Sequence, residues 1–103
     1  MKNESIVDLI ALIQRRPTMY IGWADILCLK SYLDGWCQRD ITLVTDIEVM
    51  SKFQDWIEHQ YRIKTAHSWA HILLFFSSGN SNALDLFFIE FERFLKEERS
   101  RNL

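Results

Sequence analysis

The sequence predicts an all-α fold, a compact bundle of about five helices forming one domain over residues 1–103. Apolar residues recur at i, i+3, i+4 and i+7 along most of the chain, the spacing of one helical face. Hydrophobic residues make up 49% and aromatics 14%, enough to bury a core without staples. One proline and three glycines leave little punctuation, which argues against disorder, and 103 residues leave no room for a second core.

Ser5 followed by Asp8 is an N-cap signature, and Ile6, Leu9, Ile10 and Ile13 form one stripe behind it. Arg15 and Arg16 suit the negative end of the dipole and Pro17 stops the chain's helical course, so a first helix is predicted over 5–15. Residues 17–23 are expected as a loop, with Gly22 in a backbone conformation that a Cβ disfavours. Asp25 caps a second helix running to about Gln38, its face formed by Ile26, Leu29, Leu33 and Trp36 with Tyr32 alongside. Gly35 inside it costs about 1 kcal/mol against alanine, which points to a close helix contact there.

Residues 40–45 read as a short extended piece with no evident pairing partner. Thr45 and Glu48 have capping-box spacing and open a third helix, with Val49, Met50, Phe53, Trp56, Ile57 and Tyr61 on its apolar face. A fourth helix is expected from about 66 to 77, using Trp69, Ile72, Leu73 and Phe76, with Gly79 as its C′ residue. Asn82 followed by Asp85 caps the fifth, which buries Leu84, Phe87, Phe88, Phe91, Phe94 and Leu95 and frays from Lys96 onward.

Charge and cysteine usage narrow the function classes. Residues 31–60 carry two basic side chains (Arg39, Lys52) against six acidic ones, a local charge of −4, whereas each flank is near neutral. An acidic segment repels phosphate backbones and attracts basic partners, so nucleic-acid binding loses ground. Cys28 and Cys37, nine residues apart on one helix, stand roughly 13 Å apart, beyond disulfide reach. They read as reduced thiols. The N-terminus lacks the pattern of a signal peptide, and the longest apolar stretch, residues 69–76, is far short of a membrane span. A cytoplasmic protein is the expectation.

Catalytic signatures are sparse. His67 and His71 stand four apart, one face of a helix, but a metal site needs a third ligand, and the plainer reading places both at the border of the core. No nucleophile elbow, P-loop or glycine-rich dinucleotide loop occurs, and neither cysteine has a local signal for an activated thiolate. No enzyme activity, metal or cofactor is expected.

Four tryptophans are many for this length, and helical phase assigns most of them to the core. Trp23, in the loop after Gly22, is the best candidate for exposure. Aromatics beside carboxylates, Trp36 near Asp34 and Asp40 and Trp56 near Asp55, suit an interface with a basic protein as well as they suit core packing.

Residues 15–22, Arg-Arg-Pro-Thr-Met-Tyr-Ile-Gly, are similar to an Arg-Pro-Gly-Met-Tyr-Ile-Gly stretch known in two settings. One is the ATPase domain of type II topoisomerases, excluded here because the chain is too short and lacks an Asp-x-Gly-x-Gly nucleotide loop. The other is a group of small bacterial immunity proteins encoded beside contact-dependent growth inhibition or polymorphic toxins. The chain resembles these along much of its length. Tyr32-Leu33-Asp34-Gly35-Trp36 matches a Tyr/Phe-Leu-x-Gly-aromatic signature, followed by Phe53 and Trp56, an isolated Trp69, and the aromatic run from Ala83 to Phe94. Thr18 stands where the group usually has glycine, so the turn there differs in type.

The resemblance implies a cytoplasmic inhibitor that binds one toxin domain, in many cases a nuclease with a basic surface. The acidic middle third suits such a partner independently. On that reading Asp34, Asp40, Asp46, Glu48, Asp55 and Glu58 steer association and pair with toxin Lys or Arg, and Trp36 stands among the contacts. The alternative is a helical regulatory or adaptor protein that homodimerises or binds a non-toxin partner, the broad aromatic face of the fifth helix supplying either a dimer patch or a thick core.

Overall fold

The computed structural model describes residues 4–101, and the chain runs α1 (Ile6–Arg15), α2 (Pro17–Ile21), α3 (Ile26–Gln38), a 3₁₀ turn (Ile41–Leu43), α4 (Val49–Gln60), α5 (Trp69–Phe75) and α6 (Asn80–Arg101). The fold is all-α, with five helices of seven residues or more. A radius of gyration of 13.5 Å matches the about 13 Å expected of a compact chain of this length.

The first helix starts and stops as its sequence directs. Ser5 accepts from the Asp8 N–H at 3.2 Å, and Ile6, Leu9, Ile10 and Ile13 are all buried. Pro17 ends α1, but it also opens α2, because a proline at the first helical position loses no hydrogen bond there and already has the right φ. The expected loop at 17–23 is therefore a five-residue helix followed by a turn. Gly22 closes it at φ 76°, ψ −48°, a positive-φ conformation that residues with a Cβ rarely adopt. The Asp25 carboxylate then accepts from the Leu27 N–H at 2.7 Å and caps α3. Ile26, Leu29 and Leu33 of α3 are buried, while Gly35 faces open space with no atom near a built Cβ. The close helix contact expected at Gly35 is absent.

The piece expected to be extended at 40–45 is instead a 3₁₀ turn at Ile41–Leu43, and the residues just after it pair with the chain's own start. Val44 makes a parallel bridge to Glu4, with the Glu4 N–H donating to Leu43 O at 2.7 Å and the Thr45 N–H to Glu4 O at 2.8 Å. This crossing overturns the capping box. Thr45 is tied to Glu4 through both its N–H and its hydroxyl, so α4 starts later, at Val49, without a side-chain cap. Asp46, freed from α4, instead caps α1 across the chain: both of its oxygens accept from Ser5 Oγ (2.9 Å), the Ile6 N–H (2.7 Å) and the Val7 N–H (3.2 Å).

One hydrophobic cluster joins all six helices. At its centre Phe53 meets the rings of Trp56, Trp69, Phe87, Phe91 and Phe94 at centroid distances of 5.3 to 6.1 Å. Phe87, Phe88, Phe91 and Phe94 of α6 are all buried, so its aromatic face is a thick core. α6 begins at Asn80, two residues before the expected Asn82 cap, and stays helical through Arg101. Lys96 pairs with Glu92 and Arg101 with Glu98 one turn earlier, which extends the helix past the last core residue.

Candidate functional site

The seven residues singled out in the sequence do not converge on one patch. Asp46 is half-buried, with its carboxylate engaged at the α1 N-terminus; its place is structural. Asp40 accepts from the Thr42 hydroxyl (2.6 Å) and N–H (3.1 Å), and these bonds hold its exposed carboxyl below the usual range. Asp34 pairs with Lys30 one turn earlier on α3. Trp36 is half-buried and carries the Arg39 guanidinium 4.9 Å over its ring, while Arg39 reaches Glu4 at 2.7 Å. Glu48, Asp55 and Glu58 remain on α4 and the residue before it, and none of the three is in a salt bridge among the described residues.

α4 and α5 position the more informative surface. Gln54 on α4 bridges the two: its Oε1 accepts from the Trp69 N–H at 2.5 Å, while its Nε2 donates to His67 O and to Glu58. Ser68 caps α5, accepting from the His71 N–H, and its hydroxyl sits 3.0 Å from His71 Nδ1. Helix α5 therefore starts three residues later than the expected 66, and it ends at Phe75. Phe76, expected on its buried face, turns outward at 47% exposure and packs on Tyr61 at 4.9 Å. Phe75 is 79% exposed.

Between α5 and the segment after α4 lies an open groove of about 430 Å³, walled by Ile63, Leu74, Phe75, Phe76 and the imidazoles of His67 and His71. Thr65 and His67 also belong to a second groove of about 420 Å³ that contains Asp34, Gln54 and Glu58. An apolar, aromatic-walled trough thus runs on into a polar one in which Asp34 is paired with Lys30 and Glu58 accepts from Gln54. Phe75 and Phe76 were not legible as surface residues, because in sequence they continue the apolar run from Trp69. Exposed apolar patches of this kind mark interaction sites.

The remaining candidates fall elsewhere. His67 precedes α5 and His71 lies inside it, with rings 6.1 Å apart, so they do not share a helical face as expected. No group of three or more His, Cys, Asp or Glu among the described residues is placed to hold a metal ion. Cys28 and Cys37 are free, half-buried thiols, and burial, then Asp34 and Asp46, pushes the Cys37 thiol up. Trp56 and Trp69 are core residues, and Trp23 is 77% exposed, as its loop position suggested. No described helix is long and apolar enough to cross a membrane. Comparisons with protein-family models, curated proteins and solved structures return no match to this chain.

Proposed function

We propose that the chain is an immunity protein that neutralises a cognate toxin domain, a nuclease with a basic surface, by binding it directly through the α4–α5 face. The observation that carries the reading is the open groove walled by Phe75 and Phe76 and its continuity with Asp34 and Glu58. Two adjacent phenylalanines at 79% and 47% exposure are costly to leave in water and supply the buried aromatic anchor on which protein interfaces concentrate their energy. The carboxylates of Glu58, Asp55 and Glu48 then meet toxin Lys or Arg at the rim. The order of aromatic signatures from Tyr32 to Phe94 supports the same reading.

The charge placement sets the weight of each part. Arg62 and Lys64 share a groove with Asp55 and Glu58, so the local field is near balance and steering is modest. Binding rests mainly on the aromatics. A partner side chain seated against Phe75 makes a hot spot worth about 2 kcal/mol, or about thirtyfold in affinity.

The test is co-purification with the protein encoded immediately upstream, followed by calorimetric titration across a salt series. Tight 1:1 binding, weakening only a few-fold with salt, is the expected result. Absence of binding to that protein removes the immunity reading. In that case a concentration-dependent dimer by sedimentation identifies the adaptor alternative.

A further inference from the structure

A second exposed surface, formed by α1 and α2, has the opposite character. Leu12, Met19 and Trp23 are 46%, 69% and 77% exposed, an unusual run of apolar side chains to leave in water within twelve residues of sequence. Arg15 follows Leu12 by three residues on α1 and so shares its face, and Arg16 is the residue that joins α1 to α2. Arg16 Nη1 lies 3.8 Å from Met19 Sδ, which joins that face to α2. Neither arginine has an ion-pair partner among the described residues, although both are exposed. The Asp25 carboxylate is engaged in capping α3, and the exposed Asp8 lies on the Leu12 face of α1 but two turns before Arg15. Behind the patch a shallow groove of about 410 Å³ between α2 and α3, bordered by Tyr20, Ile21, Leu27 and Tyr32, contains no charged side chain.

The turn chemistry keeps this display in place. Tyr20 and Ile21 pack inward, Tyr20 edge-on to Tyr32 at 6.4 Å, so the flanking Met19 and Trp23 are directed outward by the one-turn helix and the positive-φ Gly22. Tryptophan and arginine are among the residue types most enriched at binding hot spots, and here Trp23, Arg15 and Arg16 are all exposed within nine residues of sequence.

We propose that the α1–α2 end is a second docking surface, for an acidic protein segment whose carboxylates pair with Arg15 and Arg16 and whose apolar side chains cover Met19 and Trp23. Charge complementarity selects this occupant. A nucleic acid is disfavoured because two arginines offer two phosphate contacts, where binding at ordinary salt rests on several, and the chain carries a net charge of −2. A second copy of the chain would have to present its unpaired α4 carboxylates to this end, a head-to-tail contact that leaves both surfaces open and so grows without closing. This surface is independent of the α4–α5 face, and its test does not need the toxin.

The test uses the intact protein and a pair of short amphipathic helical peptides with identical leucine positions, one carrying glutamate and the other lysine. Binding is followed through the Trp23 indole and Met19 methyl resonances. The glutamate peptide should shift both, the lysine peptide neither, and Arg15→Glu with Arg16→Glu should weaken the glutamate peptide about tenfold and reverse the preference. Trp23→Ala should abolish the shift of the Met19 methyl resonance on adding the glutamate peptide while leaving the thermal midpoint unchanged, since the side chain is exposed. The proposal is overturned by equal response to both peptides, by no response to the glutamate peptide, by a preference for a duplex RNA probe, or by open-ended self-association of the protein alone in sedimentation.

Discussion

Removing the Asp46 carboxylate should destabilise the protein by more than any other substitution outside the core. The carboxylate accepts three hydrogen bonds at the α1 N-terminus, two from backbone N–H groups that α1 itself has no means of pairing. A helix cap of this kind is worth about 0.5–2 kcal/mol, and a negative charge at the positive end of the dipole adds about 0.3–1 kcal/mol. Here the cap also holds residues 44–46 against the start of the chain, so Asp46→Ala is expected to cost about 2–3 kcal/mol. In a domain of about 100 residues that lowers the midpoint by roughly 10–20 °C. Asp46→Asn keeps an acceptor oxygen and loses the charge, and should cost about half as much. Urea unfolding followed by tryptophan fluorescence gives both values. If both variants lie within about 0.5 kcal/mol of the wild type, the surface-substitution range, the cross-chain cap is not a stabilising feature. If Asp46→Asn instead weakens partner binding at unchanged stability, the carboxylate belongs to an interface.

Two glycines should respond in opposite directions. Gly35→Ala, in the interior of α3 with nothing near its Cβ, should stabilise by about 0.5–1 kcal/mol, whereas Gly22→Ala, at φ 76°, should destabilise by at least about 1 kcal/mol; paired denaturant curves decide. Phe53→Ala removes a fully buried ring from the centre of five others and should cost about 3–5 kcal/mol, enough to unfold a marginal domain, read from its near-ultraviolet dichroism. Burial, and then Glu90 beside it, pushes the Tyr61 phenol up to about 12 from an ordinary value near 10. The folded state holds the neutral phenol, so this contribution is intact below pH ~10 and is lost as pH rises through about 12. Tyr61→Phe should flatten the stability decline across that window, and an unchanged alkaline profile would remove Tyr61 as its cause.

The fold was legible wherever a local signal had no distant competitor. Ser5, Asp25 and the apolar stripes of α1 and α3 act within a turn of themselves, and they lie as their spacing directs. The misreadings share one cause, a local rule displaced by a contact elsewhere. Thr45 and Glu48 have capping-box spacing, but Glu4 takes Thr45 and α1 takes Asp46, a pairing 40 residues apart that no window of sequence displays. Pro17 reads in the sequence as a stop, whereas the same ring also favours a helix start and opens α2. Among the candidate site residues, counting carboxylates located the acidic third but could not tell an engaged one from an available one. Asp34, Asp40, Asp46 and Glu58 have partners inside the chain, which leaves Glu48 and Asp55. Trp23 announced its exposure through the glycine before it, whereas Phe75 and Phe76 took theirs from where α5 stops.

The most direct test of the account is the affinity of Phe75→Ser for the proposed partner, the protein encoded immediately upstream, measured beside the wild type. Phe75 is so exposed that its loss should leave folding intact, while affinity falls about thirtyfold and protection of toxin-expressing cells falls with it. Wild-type affinity in this variant, with the proposed partner still bound 1:1, would place the interface away from the α4–α5 groove and contradict the account.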